Sequence, residues 1–164
     1  MTTTARAGAQ APAAGPTVLG WFEPGTDEWH AARANGIGGS EIAAVMGLSP
    51  YESRFSLWHR KKSLIGPVEE SDVMYWGKCH EPTICAEFAK RHDGWQLRPA
   101  PTYAAAGRPW QIANPDRLLV DDFGDPIALL EAKTSRDDQG WGEEGTDQIP
   151  VYYRAQCLWY CDTL

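Results

Sequence analysis

Residues 110–133 read Trp110-Gln111-Ile112-Ala113-Asn114-Pro115-Asp116-Arg117-Leu118-Leu119-Val120, then Asp121-Asp122-Phe123-Gly124-Asp125-Pro126, then Ile127-Ala128-Leu129-Leu130-Glu131-Ala132-Lys133. Asp116 stands inside one apolar run, and Glu131 and Lys133 close a second. The two runs, 112–120 and 127–133, predict strands joined by an acidic, Gly/Pro-bearing turn. Side chains alternate faces along a strand, so Leu129, Glu131 and Lys133 share one face and Ala128, Leu130 and Ala132 the other. A carboxylate and an ammonium thus project side by side from an apolar strand. Buried charge needs a compensating partner. One reading is a strand-end salt bridge on a solvated face. The other is a cation site, with Asp116 and Glu131 offering hard oxygen ligands and Lys133 orienting a water.

Working outward, residues 149–164 predict a helix opened by Ile149-Pro150 and carrying Tyr152, Tyr153, Gln156, Cys157, Trp159 and Tyr160. Between it and Lys133 lies a long loop, 137–147, with five acids (Asp137, Asp138, Glu143, Glu144, Asp147) and Trp141. On the other side, residues 95–97 predict a short strand, followed by a Pro/Ala/Gly loop to residue 109. Residues 83–92 predict a helix with Pro82 in its first turn. Ile84, Cys85 and Phe88 follow Glu81 at i+3, i+4 and i+7, which turns Glu81 toward the apolar face. There it either caps its own helix or meets a cation.

Upstream, Thr26 or Asp27 caps a short helix with Trp29, Ala32 and Arg33. Asn35-Gly36-Ile37-Gly38-Gly39-Ser40-Glu41-Ile42 then leads into a helix capped by Ser40 and stopped at Gly47. A glycine-rich loop at a helix N-terminus offers free N–H groups to an anion, and Arg33 suits a phosphate. A plain capped helix explains the same residues. The helix over 53–63 places Phe55, Leu57 and Trp58 inward. Its Arg54, Arg60, Lys61 and Lys62, set against Glu52, are either a solvated face or a phosphate-backbone contact. Residues 1–17 are Ala, Thr, Gly and Pro and read as a disordered tail; residues 18–164 read as one domain.

The chain has 164 residues, 43 % of them hydrophobic, which suffices for a real core. A net charge of −7 argues against a generally basic nucleic-acid binder, so any such contact is local and partly carried by metal. Cys79, Cys85, Cys157 and Cys161 lack a Cys-x-x-Cys pair. They read as reduced, mostly buried thiols of a cytoplasmic protein rather than a zinc or iron–sulfur site. No run has membrane-spanning length. The apolar pattern continues to Leu164, which reads as a domain incomplete at its C-terminus.

The order of parts resembles the PD-(D/E)xK nuclease superfamily, and within it the lambda exonuclease and YqaJ-type recombination nucleases. The matching residues are Arg33 and Gly36 to Ala43; Ser49-Pro50-Tyr51 with Leu57-Trp58 and Lys61; Trp76-Gly77 with Glu81-Pro82; Asn114-Pro115-Asp116-Arg117; Leu130-Glu131-Ala132-Lys133-Thr134; and Tyr153 with Gln156. The resemblance implies an α/β (α+β) fold with a restriction-endonuclease-like core, a central mixed sheet flanked by helices. It implies a DNA exonuclease cutting duplex ends, 5′-to-3′, in phage-type recombination. Asp116, Glu131 and the Ala132 carbonyl would ligate Mg²⁺ or Mn²⁺, with Glu81 on a metal-bound water or second metal position. Lys133 would position the attacking water and Gln156 the lysine or phosphate. Arg33 and Ser40 would grip a DNA phosphate. A trimeric ring and a single-strand annealing protein are the implied partners. The alternatives are an endonuclease of the same fold and a non-catalytic DNA-binding module. The acidic loop 137–147 has no counterpart in the motif set.

Overall fold

The structure, a computed structural model, describes residues 15–164. Of the expected tail, residues 1–14 lie outside the described residues, and Thr17 already opens a strand, β1 (Thr17–Gly20). There follow α1 (Asp27–Ala34), β2 (Ile37–Gly38), α2 (Gly39–Met46), α3 (Arg54–Lys61), α4 (Asp72–Arg91), β3 (Gln96–Pro99), β4 (Thr102–Ala105), β5 (Arg108–Ala113), β6 (Arg117–Val120), β7 (Pro126–Leu130) and α5 (Val151–Thr163). The expected α/β architecture holds: helices flank a mixed sheet.

The first anticipated strand, 112–120, is in fact two. Proline lacks an N–H and restricts the residue before it, so the ladder breaks at Asn114-Pro115-Asp116. Upstream, β5 pairs antiparallel with β4 and parallel with β2, in the order β1-β4-β5-β2. Downstream, β6 lies between β3 and β7 in an antiparallel sheet. Asp116 therefore sits at the joint where the chain passes from one sheet to the other.

The core runs through this joint. Ile112, Ala113, Leu118, Leu119 and Val120 are buried, with Ala104 and Ala105 beside them. Helix α5 is tied to β5 by polar contacts: Trp159 Nε1 donates to the Ile112 carbonyl at 3.0 Å, and the buried Gln111 donates to Asp162 and Thr163 at 2.9 and 3.1 Å. Its other face packs on α2. A Cβ at Gly39 would lie 2.2 Å from Tyr160 Cε1, so only glycine admits this approach. Gly36 is equally constrained, since a Cβ there would meet Ile112 Cδ1 at 2.3 Å and the Trp110 carbonyl at 2.7 Å.

Several expectations are corrected. Residues 98–109 hold β4 and the start of β5 rather than a loop. Helix α4 runs straight through Pro82 instead of beginning there, giving up one backbone hydrogen bond. Ser40 is not the cap of α2: Gly38 is, and Glu41 Oε2 accepts the Gly38 N–H at 2.8 Å. On α3 only Leu57 is buried; Phe55 and Trp58 are 74 % and 54 % exposed. Of the cysteines, Cys85 is buried, Cys157 half-buried, and Cys79 and Cys161 exposed, all as free thiols. Among the described residues no helix is long and apolar enough to cross a membrane.

Candidate active site

The register of β6 and β7 builds the site. Arg117 pairs with Leu130 and Leu118 with Leu129. One step beyond, in the same register, Asp116 faces Glu131. Asp116 Oδ2 accepts the Ala132 N–H at 2.7 Å, which locks the start of β6 to the segment leaving β7. Ala132 thus enters the site through its N–H.

Glu131 is the most enclosed of the acids, its side chain 6 % exposed. Its Oε1 accepts from Lys133 Nζ at 2.6 Å and from Gln156 Nε2 at 2.5 Å. Its Oε2 is buried and has no hydrogen-bond partner among the described residues. An unpartnered buried carboxylate oxygen is costly unless something else satisfies it. Burial raises the pKa of Glu131, opposed by the nearby Lys133 ammonium. Burial, then the negative charge of Glu131, pushes Asp116 up to about 7. Two acids in one enclosed place cannot both ionise freely without a cation.

Glu81 reaches the same neighbourhood from α4 but is taken by Arg117, whose Nη1 donates to Glu81 Oε1 at 3.1 Å and to the Asp116 carbonyl at 2.5 Å. Its charge still acts on both Asp116 and Glu131. Among the described residues no three acidic, histidine or cysteine side chains stand as a preformed metal cage. The donors that fit a cation are the facing Asp116 and Glu131, with Glu81 held to one side by Arg117.

Arg33 and Ser40 form a second cluster at the start of α2. Arg33, 6 % exposed, donates from Nη2 to Ser40 Oγ at 3.1 Å and lies over the Trp29 ring at 4.3 Å. Glu41 Oε2 is 3.9 Å from Arg33 Nη2 and 2.8 Å from Lys61 Nζ. Burial lowers the pKa of Lys61, and Glu41 opposes that shift. Trp29 joins this cluster to the sheet joint, donating from Nε1 to Asn114 Oδ1 at 3.0 Å.

The structure therefore gathers Asp116, Glu131, Ala132, Lys133 and Gln156 around one point, with Glu81 beside them and Arg33 and Ser40 together in a neighbouring cluster. The sequence reading missed two participants. Arg117, the cation that occupies Glu81, is adjacent to Asp116 in the chain. Tyr160, whose hydroxyl lies 3.0 Å from Gln156 Nε2, sits one helical turn beyond Gln156, a spacing that predicts contact.

Residues 28–163 match the YqaJ-like viral recombinase domain. The uncharacterized protein YqaJ of Bacillus subtilis is 31 % identical over 146 residues, 87 % of this chain and 43 % of that protein. The chain thus spans less than half the length of that relative. A protein of African swine fever virus is 36 % identical over 56 residues, 34 % of this chain and 16 % of its own. Two crystal structures share the fold, each with a TM-score of 0.66 over 84 % of this chain and 68 % of theirs. They are an alkaline exonuclease (LHK-Exo) from Laribacter hongkongensis, 23 % identical, and LHK-Exo in complex with dAMP, 21 % identical. With its site set on that fold and the match running through nearly every element that builds it, the chain belongs to the YqaJ-like viral recombinase domain family.

Proposed function

We propose that this domain is a divalent-metal-dependent DNA exonuclease that hydrolyses phosphodiester bonds from duplex ends in the 5′-to-3′ direction, in the service of recombination. The observation that carries the reading is the buried Oε2 of Glu131, unpartnered among the described residues, on a residue whose charge acts on a second enclosed acid, Asp116, with an ammonium alongside. Hard carboxylate oxygens suit Mg²⁺ or Mn²⁺. Asp116 and Glu131 would hold the ion, with the Ala132 carbonyl and Glu81 as further oxygen donors. When bound, the cation supplies Lewis-acid stabilisation of the charge that builds on the phosphoryl oxygens.

The chain's own groups account for the remaining tasks. Lys133 stays anchored to Glu131 Oε1 while its ammonium orients the attacking water and offsets charge at the reacting phosphate. Gln156 fixes the opposite side of the same oxygen. Arg33 and Ser40, at the N-terminus of α2, bind the phosphate at the DNA end; an arginine beside a helix N-terminus favours such an anion. The fold is shared with an exonuclease solved with dAMP, which is consistent with a deoxynucleotide ligand. Double-stranded DNA ends are the substrate. A single-strand annealing protein and a trimeric ring belong to the same proposal, as does a cytoplasmic location.

The test uses linear duplex with and without a 5′ phosphate, and a covalently closed circle, each in Mg²⁺ or EDTA. The reading expects mononucleotide release from the linear duplex in Mg²⁺ alone, fastest with the 5′ phosphate, and an intact circle. Cleavage of the circle indicates an endonuclease; no cleavage of any substrate contradicts the nuclease reading.

A further inference from the structure

Glu131 keeps one oxygen bare because Gln156 and Lys133 both converge on the other. What keeps Gln156 there is a residue that the metal chemistry itself does not require. Tyr160 is 2 % exposed, on the same face of α5 as Gln156 and one turn further on. Its ring is clamped against Gly39, where no side chain larger than hydrogen fits. Its hydroxyl lies 3.0 Å from Gln156 Nε2. Burial, reinforced by the charge of Glu131, pushes the phenol pKa up, so the hydroxyl stays neutral and keeps lone pairs to accept a hydrogen bond.

A primary amide nitrogen has two N–H donors. Here one goes to Glu131 Oε1 and the other to Tyr160 Oη. Both acceptors sit on the nitrogen side, so the pair fixes which way the amide faces and leaves no donor to swing onto Glu131 Oε2.

We propose that Tyr160 is a positioning residue for the metal site: its hydroxyl saturates the Gln156 amide, which holds Glu131 by Oε1 and leaves Oε2 for the cation. This rests on the metal-site reading above. It adds a chain of contacts from Gly39 at the start of α2, through Tyr160 and Gln156, to Glu131. Helix α2, which supplies Ser40 to the Arg33–Ser40 cluster, thereby buttresses the acid. Groups that orient a metal ligand from behind typically change metal affinity by about 10–100-fold when lost.

The experiment is a calorimetric titration of Mn²⁺ into the full chain without DNA at pH 8, for the parent and for Tyr160→Phe, with thermal unfolding of both in EDTA. Phenylalanine keeps the ring against Gly39 and removes only the oxygen. The proposal expects Mn²⁺ affinity to fall about tenfold while the metal-free variant still unfolds cooperatively. Equal affinity in the two proteins overturns the role of Tyr160 and leaves the metal site standing. A parent that binds no Mn²⁺ overturns both. Should the variant fail to fold, hydrogen exchange of the Gln156 side-chain amide in the metal-free parent decides. Two protected N–H protons support the proposal, and a freely exchanging amide refutes it.

Discussion

The molecule holds two charged clusters of opposite surplus, linked through Trp29 and through Tyr160. At the start of α2 two cations, Arg33 and Lys61, share one acid, Glu41. At the joint of the sheets three acids, Glu81, Asp116 and Glu131, share two cations, Arg117 and Lys133. Each carries a formal surplus of one charge, but they differ in how that charge is met. Arg33 finds a hydroxyl, a carboxylate and an aromatic face. Glu131 has an oxygen with no hydrogen-bond partner among the described residues. The first cluster is a settled piece of the fold whose surplus suits an arriving anion. The second is left unsatisfied by the fold, and on the proposed function a cation would complete it.

The largest expected effect breaks the second cluster. Asp116→Asn or Glu131→Gln should lower exonuclease turnover by roughly 10³-fold or more, since the cation supplies several kcal/mol to the transition state. In EDTA at pH 8 the same Asp116→Asn should raise the melting temperature, because it removes one of two facing buried charges. A variant both inactive and less stable would mean that the acids belong to the core instead.

Titration sharpens the contrast. The folded pKa of Asp116 is raised from 3.8 to about 7. The folded state therefore holds a proton that the unfolded state has released across that window. Stability contributed by this proton is present below pH 4 and is lost as pH rises toward 7, by about 4 kcal/mol at the upper bound. Denaturant unfolding in EDTA between pH 4 and pH 8 reads this slope. Asp116→Asn should flatten it, and saturating Mg²⁺ should restore stability at the high-pH end.

Gly39→Ala tests the link between the clusters. A Cβ 2.2 Å from the Tyr160 ring forces the α2–α5 contact apart and should cost about 1–3 kcal/mol in chemical denaturation. Arg33→Lys keeps the charge but loses the planar fork, and should reduce the preference for a 5′-phosphorylated end by about tenfold, roughly 1.4 kcal/mol. Phe55→Ser, on the exposed face of α3, should change stability by no more than about 0.5 kcal/mol.

Period two along a strand makes the Glu131–Lys133 pair legible in the sequence, with Asp116 as its candidate partner, and Pro150 marks the helix that carries Gln156; that Gln156 joins them is implied only by the family resemblance, and the break of the ladder at Pro115 is not anticipated. Longer-range packing decided part of what was not legible, and local capping another part. Thr102, Ala104 and Ala105 look like loop residues, yet they are buried as β4 because β1 and β5 flank them. Pro82 looks like a helix start, but α4 opens at Asp72, capped by Ser71, and runs through it. Ser40 has the chemistry of a cap, yet Glu41 reaches back to Gly38 and moves the helix start two residues earlier. Phe55 and Trp58 follow helical spacing yet stay largely exposed, touched by the His59 ring of their own helix. The ion pair of Glu81 with Arg117 joins residues thirty-six apart in sequence, which no periodicity reveals.

The central claim is that the fold leaves an oxygen of Glu131 for a divalent cation shared with Asp116. Anomalous diffraction from crystals of the chain grown with Mn²⁺ tests it most directly. The account predicts a manganese peak bonded to Glu131 Oε2 and to the Asp116 carboxylate, with Gln156 and Lys133 still on Oε1. Crystals whose manganese lies elsewhere, with Glu131 Oε2 against solvent or protein, would contradict it.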